Sequence, residues 1–246
     1  MKARLRSLKK NKKYQNSCSN ILVRGNNIYG GGRRGPQQGA CVIVKNDVNN
    51  ATIEFNYCHD SNQGIGTSVY AGGYNAPRNI IIRYNIITGI TKYHAIVAQN
   101  AFTGTCSFDA YGNLIFKNSY NGIFIDPSLS GTTAAFNIYN NTLFSNSLNN
   151  PYPYEVEFGN TNVANYTLNF KNNIIYAESG VSPLYDVAGE IISHSNNIYC
   201  RNGGGNLVQS PAGTYKTSAN LSSYEASAYS TNPAFINTSS LPTGFT

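Results

Sequence analysis

Residues 79–89 read NIIIRYNIITG. Ile80 and Ile82 alternate with Ile81 and Arg83, the two-residue period of an extended strand with distinct faces. Asn85 follows, then a second short β-prone run, Ile86–Thr88, and Gly89. The same apolar–x–x–Asn–x–apolar pattern recurs at Val23-Asn26-Ile28, Ile53-Asn56-Cys58, Ile115-Asn118-Tyr120, Ile138-Asn141-Leu143 and Phe170-Asn173-Ile175. A weaker copy is Ser193-Asn196-Ile198. These asparagines lie 23 to 33 residues apart. Two positions ahead of each first apolar residue stands another, usually apolar (Ile21, Ala51, Ile80, Phe136, Leu168, Ile191). Each repeat is therefore a strand, a sharp bend at Asn, a second strand and a closing coil. Asn tolerates the left-handed backbone that such a bend requires. Its amide both donates and accepts, so asparagines of successive coils can bond one above another.

A third family of short β-prone runs fills the gaps: 40–44, 66–70, 95–99, 122–126, 154–158 and 184–187. Repeats of this kind bury their apolar faces only by stacking. The expectation is an all-β parallel β-helix, a solenoid of about seven coils with three short strands each. An all-β sandwich is the remaining competitor. Helical repeats are excluded by the missing 3.6-residue period.

The segments NILVRGNNIYG (20–30), NIIIRYNIITG (79–89), NLIFKNSYNG (113–122) and LNFKNNIIYA (168–177) resemble right-handed parallel β-helix repeats of the pectate-lyase-like superfamily, over about residues 20–200. The resemblance implies a right-handed β-helix over 20–202, a polysaccharide-binding face along one parallel sheet, and an extracellular or cell-surface location. It also implies further coils ahead of a basic N-terminal arm at 1–19. Residues 203–246, rich in Ser, Gly, Pro and Thr, are expected to form an irregular C-terminal cap.

Composition agrees with this class. The 246 residues include 36 Asn, 23 Gly, 19 Tyr and no Trp, and only 12% are charged. Of the 18 Lys and Arg, seven fall between Lys2 and Lys13, leaving 11 basic against 11 acidic residues in the body. The net charge of +7 thus resides in the arm. A neutral body argues against nucleic-acid binding, which needs a basic face. No apolar run approaches the ~20 residues of a membrane span. The five cysteines (Cys18, Cys41, Cys58, Cys106, Cys200) lack metal-site spacing, and Cys58 falls at a core position.

Stacked coils turn outward side chains into columns about 4.8 Å apart. Along the strand before the Asn, the column reads Arg24, Glu54, Arg83, Phe116, Tyr139, Lys171, His194, and its first three residues form a structural charge ladder. The third strand family gives two columns: Ile43, Ser68, Val97, Phe124, Glu157, Asp186, and Lys45, Tyr70, Gln99, Asp126, Gly159, Ala188. Asp126 and Glu157 fall on adjacent coils, and a carboxylate pair supports glycoside hydrolysis. Lys45, Tyr70, His94, Gln99, Phe124, Glu155 and Asp186 are the expected substrate contacts. His59 and Asp60 form a second proton-handling candidate, provided that the chain turns at Asp60. A lyase would instead use a base such as His94 or Tyr70, with Lys45 or Lys92 facing a uronate.

No cofactor or metal is called for, although Asp126 and Glu157 leave room for a divalent cation such as calcium. The expected function is a carbohydrate-active monomer, hydrolase or lyase, acting on a polysaccharide. The alternative is a non-catalytic β-helix: an adhesin, a phage tail-fibre segment or a glycan-binding scaffold.

Overall fold

The computed structural model describes residues 18–32, 39–68, 75–99, 105–126, 133–151, 153–159, 166–186, 191, 193–210 and 213–235; for Gln99, Asp126 and Tyr166 the description stops at the backbone. The chain winds into a parallel β-solenoid with three sheets. Sheet A stacks Ser19–Arg24, Asn49–Glu54, Arg78–Arg83, Thr105–Tyr111, Thr133–Tyr139, Tyr166–Lys171 and Ser193–Ser195. Sheet B stacks Asn27–Tyr29, Tyr57–His59, Ile86–Thr88, Leu114–Phe116, Thr142–Phe144, Ile174–Ala177 and Ile198–Arg201. Sheet C stacks Ala40–Lys45, Gln63–Ser68, Ile96–Gln99, Ile123–Asp126, Tyr154–Phe158, Ser182–Tyr185 and Val208–Gln209. Tyr215–Lys216 then closes it antiparallel. About five turns are complete, fewer than the expected seven coils.

Alternation along the sheet A strands buries Ala51 and Ile53, Ile80 and Ile82, Phe108 and Ala110, Phe136 and Ile138, and Leu168 and Phe170. Sheets B and C add Cys58, Ile87, Ile115, Leu143 and Ile175, and Ile65, Ile96, Ile123, Val156 and Leu184, to one continuous core. No coil could bury these side chains alone; stacking is what removes them from water.

The A-to-B corner carries the asparagine ladder. Asn26, Asn56, Asn85, Asn113, Asn141, Asn173 and Asn197 form a single column in which backbone N–H and Nδ2 of each donate to Oδ1 of the next, at 2.9–3.1 Å. The other amide hydrogen reaches back to a carbonyl of the preceding coil, as from Asn85 to Ile53 at 2.9 Å. From Asn56 onward the column is buried, so these bonds replace those lost to water.

Two expectations about the ladder are corrected. Asn113 and Asn197 occupy the column, not Asn118 and Asn196. Asn118 belongs to a second ladder one corner later, donating to Asn146 Oδ1 from N at 3.2 Å and from Nδ2 at 2.7 Å. The left-handed residue is also not the ladder Asn but the one before it: Gly25, Phe55, Tyr84, Gly112, Asn140, Asn172 and Asn196 all have φ between 54° and 65°. The bend turns there, and the following Asn then points its amide into the stack.

The outward column beside this corner is correspondingly Arg24, Glu54, Arg83, Tyr111, Tyr139, Lys171 and Ser195. Phe116 instead stacks on Phe144 across sheet B (4.8 Å, 6°), and His194 pairs with Phe170. The Arg24–Glu54–Arg83 charge ladder is present. Glu54 is buried between the two guanidiniums, 3.5 Å from Arg24 Nε and 2.6 Å from Arg83 Nε.

Candidate functional site

Sheet C register brings Val97, Phe124, Glu157 and Tyr185 into one row. A cleft of ≈ 570 Å³ opens between Phe124 and Glu157 of that row and the chain segments entering the strands, which supply Lys92, His94, Tyr120, Asn121 and Asn150. Thus His94, Phe124 and Glu157, three of the residues singled out from sequence, come from successive coils and line the same space.

Their geometry is defined by stacking and by one amide. The His94 imidazole lies flat on Phe124 (4.2 Å, 12°) and meets Tyr120 edge-on (6.0 Å, 83°). Asn121 Nδ2 donates to Glu157 Oε2 at 3.1 Å and to the Tyr154 carbonyl at 2.7 Å, while its Oδ1 accepts from Asn150 at 2.8 Å. Burial lowers His94 to about 4, against the raising effect of a hydrogen bond to Asn121. His94 is therefore a neutral imidazole at ordinary pH. Its Nδ1 is buried and has no hydrogen-bond partner among the described residues.

The other candidates lie elsewhere. Glu155 is fully buried at the start of its strand, where it accepts from Asn146 N at 2.6 Å and Nδ2 at 2.7 Å; it ends the second amide ladder instead of facing the groove. Asp186 is also buried, because Leu184 takes the core position opposite Val156 and Tyr185 faces out. Its carboxylate accepts from Tyr224 Oη at 2.8 Å. Lys45 pairs with Ser68, and Ile43 with Gly66, a two-residue slip from the expected columns. Tyr70 lies outside the described residues. Gln99 and Asp126 are register partners by backbone, beside Val97 and Phe124.

His59 and Asp60 do come together, at 2.7 Å, because Asp60 adopts φ 47°. They sit on sheet B, where His59 Nε2 is 2.8 Å from Asn27 Oδ1 and the ring stacks on Tyr57 (4.2 Å) and Tyr29 (5.1 Å). Both ring nitrogens are thus engaged away from the sheet C cleft. Among the described residues, no group of three or more His, Cys, Asp or Glu is gathered that could hold a metal ion, and no helix is long and apolar enough to cross a membrane.

Tyr120, Asn121 and Asn150 were missed in the sequence. Tyr120 reads as the second apolar position of the Ile115-Asn118-Tyr120 repeat, and Asn121 and Asn150 sit in corners where no periodicity marks them; the only signal was a polar residue directly before a small one at the entry to a sheet C strand, as in His94-Ala95 and Asn121-Gly122.

A second concavity of ≈ 700 Å³ runs along the outer face of sheet A, lined by Asn20, Asn50, Asn79, Asp109 and Asn137 among others. Its amides are engaged by neighbouring polar groups, as in Asn137 Nδ2 to Asp109 Oδ1 at 2.7 Å and Asn79 Nδ2 to Asn49 Oδ1 at 2.9 Å. Asp109 is the one titratable group in its lining, so it offers less chemistry than the sheet C cleft.

No family model matches the chain, and neither a curated protein nor a solved structure is significantly similar to it.

Proposed function

We propose that the protein is a carbohydrate-active β-solenoid of the pectate-lyase-like kind, exported from the cell, that takes a polysaccharide into the sheet C cleft. The observation that carries this reading is the convergence of His94, Phe124 and Glu157 from three coils on one open cleft. Aromatic faces beside carboxylate and amide groups suit a sugar ring, which presents C–H faces for stacking and hydroxyls at its edge. Between the two reactions, the lining favours elimination. It supplies a neutral imidazole as base, an ammonium at Lys92 to face a uronate carboxylate, and one carboxylate, Glu157. Hydrolysis needs Asp126 as the second carboxylate. The engagement of Glu155, Asp186 and the His59–Asp60 pair in structural bonds favours a second reading, a glycan-binding scaffold without catalysis.

A panel of neutral and acidic polysaccharides, read for both reducing ends and unsaturated uronate absorbance, separates the three outcomes. Unsaturated product supports elimination, and reducing ends without it support hydrolysis. Binding without product leaves the scaffold, and neither binding nor product removes the carbohydrate reading.

A further inference from the structure

Cys41 is the second residue of the first sheet C strand, and Cys58 lies in the second strand of sheet B. Cys41 Sγ is 3.5 Å from the carbonyl of Ile28, and Ile28 is the register partner of Cys58. The Cys41 sulfur therefore stands inside the corner, beside the coil next to that of Cys58. The two cysteine side chains adjoin in this corner, close enough that each shifts the other's titration, while the Ser61 hydroxyl donates to the His59 carbonyl at 3.1 Å. Cys58 is fully buried, while Cys41 is half-buried at the edge of the core. The remaining cysteines are all free: Cys18 is exposed, Cys106 and Cys200 are buried.

We propose that Cys41 and Cys58 form a redox pair, which a small exogenous disulfide such as oxidised glutathione converts to an intramolecular disulfide joining sheet C to sheet B. The environment assigns the roles. The Cys41 thiol is held below its ordinary value, chiefly by the neighbouring Cys58 and against the effect of its own burial, which favours it as the attacking sulfur. The Cys41 neighbour and burial raise Cys58, so it stays protonated until called upon to resolve. In the first step, Cys41 Sγ⁻ attacks one sulfur of the oxidant, the oxidant's S–S bond breaks, and one glutathione leaves as thiolate. In the second, Cys58 loses its proton to that thiolate or to water, attacks Cys41 Sγ and expels the second glutathione. Two protein thiols are oxidised, and one disulfide is reduced to two thiols. The product is a covalent clasp at the first coils, where Ile21, Val23 and Ile28 are only partly buried.

The test uses the full chain carrying Cys18→Ser, incubated with oxidised glutathione, denatured, alkylated and digested with trypsin. Cleavage after Lys45 separates the Cys41 peptide (35–45) from the Cys58 peptide (46–78). The expected result is these two peptides linked, with Cys106 and Cys200 alkylated. In a Cys58→Ser variant, Cys41 is expected to retain a glutathione adduct that does not resolve. Recovery of Cys41 and Cys58 both alkylated, or linkage of either to Cys106 or Cys200, overturns the proposal.

Discussion

Asn197 gives both of its forward donors to one carboxylate: its backbone N–H bonds Glu225 Oε1 at 2.8 Å and its Nδ2 bonds Oε2 at 3.0 Å. Asn146 makes the same pair of bonds to Glu155 at the end of the second ladder. An asparagine ladder has a direction, because every member donates forward and accepts from behind. The last member therefore needs a partner that accepts twice, and a carboxyl group with two oxygens provides it. Both ladders of this solenoid close in this way, and Tyr199 Oη adds a third bond to Glu225 at 2.9 Å.

Ladder members inside the stack should be costly to remove. Asn85→Ala and Asn141→Ala are each expected to lower the unfolding free energy by about 1–3 kcal/mol, since buried N–H groups of the neighbouring coil lose their acceptor. Urea denaturation checks this; unchanged midpoints for both variants would contradict a continuous ladder. Glu225→Gln should cost a similar amount, because the new amide turns a donor towards Asn197.

The two terminal carboxyls should give opposite pH dependences. Burial raises Glu155 from 4.5 to about 8 against the lowering effect of its bonds from Asn146. A folded value above the unfolded one means that the folded chain binds the extra proton, so this contribution is full below about 4.5 and is lost as pH climbs towards about 8. Burial acts to raise Glu225 too, but the His194 imidazole 3.4 Å away and hydrogen bonds from Asn197 and Tyr199 outweigh it and hold the group below its ordinary value. Its contribution is present above the ordinary carboxyl range and fades on acidification. Unfolding measured from about pH 5 to 8.5 should show a slope that Glu155→Gln removes and Glu225→Gln leaves.

At the A-to-B corner, backbone strain falls on two aromatic residues. Phe55 and Tyr84 take φ 54° at a corner where five other coils use Gly or Asn. They are partly repaid by contact: the rings stack at 5.2 Å, Tyr84 meets Tyr111 at 5.6 Å, and Tyr111 stacks on Tyr139 at 4.7 Å. Gly112 accommodates this string, since a Cβ there would stand 2.6 Å from the Tyr84 ring. A left-handed L-residue costs about 1–2 kcal/mol, whereas a ring pair contributes about 0.5–1.5. Phe55→Gly, free of the strain, should therefore be more stable than Phe55→Ala by about 1 kcal/mol. Equal stability of the two would mean that the corner is not left-handed in solution.

In the cleft, His94→Ala and Glu157→Gln should abolish carbohydrate turnover or weaken binding at least tenfold, about 1.4 kcal/mol, with little change in melting. His94 titrates at about 4, so turnover that uses it as base should persist unchanged from about pH 5.5 to neutrality and fall only at lower pH. A rise with midpoint near the ordinary histidine value would contradict a desolvated His94.

Much of the architecture was legible because alternation such as Ile80–Ile82 and a following Asn encode the strand and corner directly. The register was less so. Asn113 and Asn118 both follow apolar strand residues, and each sits at a real corner, so the pattern alone does not say which ladder owns which. In sheet C a slip of two residues, Ser68 for Gly66, preserves the outward face and leaves no trace in the alternation. A slip of one, Asp186 for Tyr185, reverses the face and buries a residue expected in the groove. Phe124 and Glu157 were readable from their strand positions, and His94 from its place just before one. The fate of Glu155 was not, because its partner Asn146 is set by how one corner packs on the next.

Hydrogen exchange of the intact protein with and without a saturating oligosaccharide from the bound polymer tests the account most directly. It predicts new protection in residues 92–97, 120–124 and 154–158, with the sheet A strands unchanged. Protection at 20–22, 50–52, 79–81 and 107–109 instead would place the ligand in the amide-lined groove of sheet A and contradict the site.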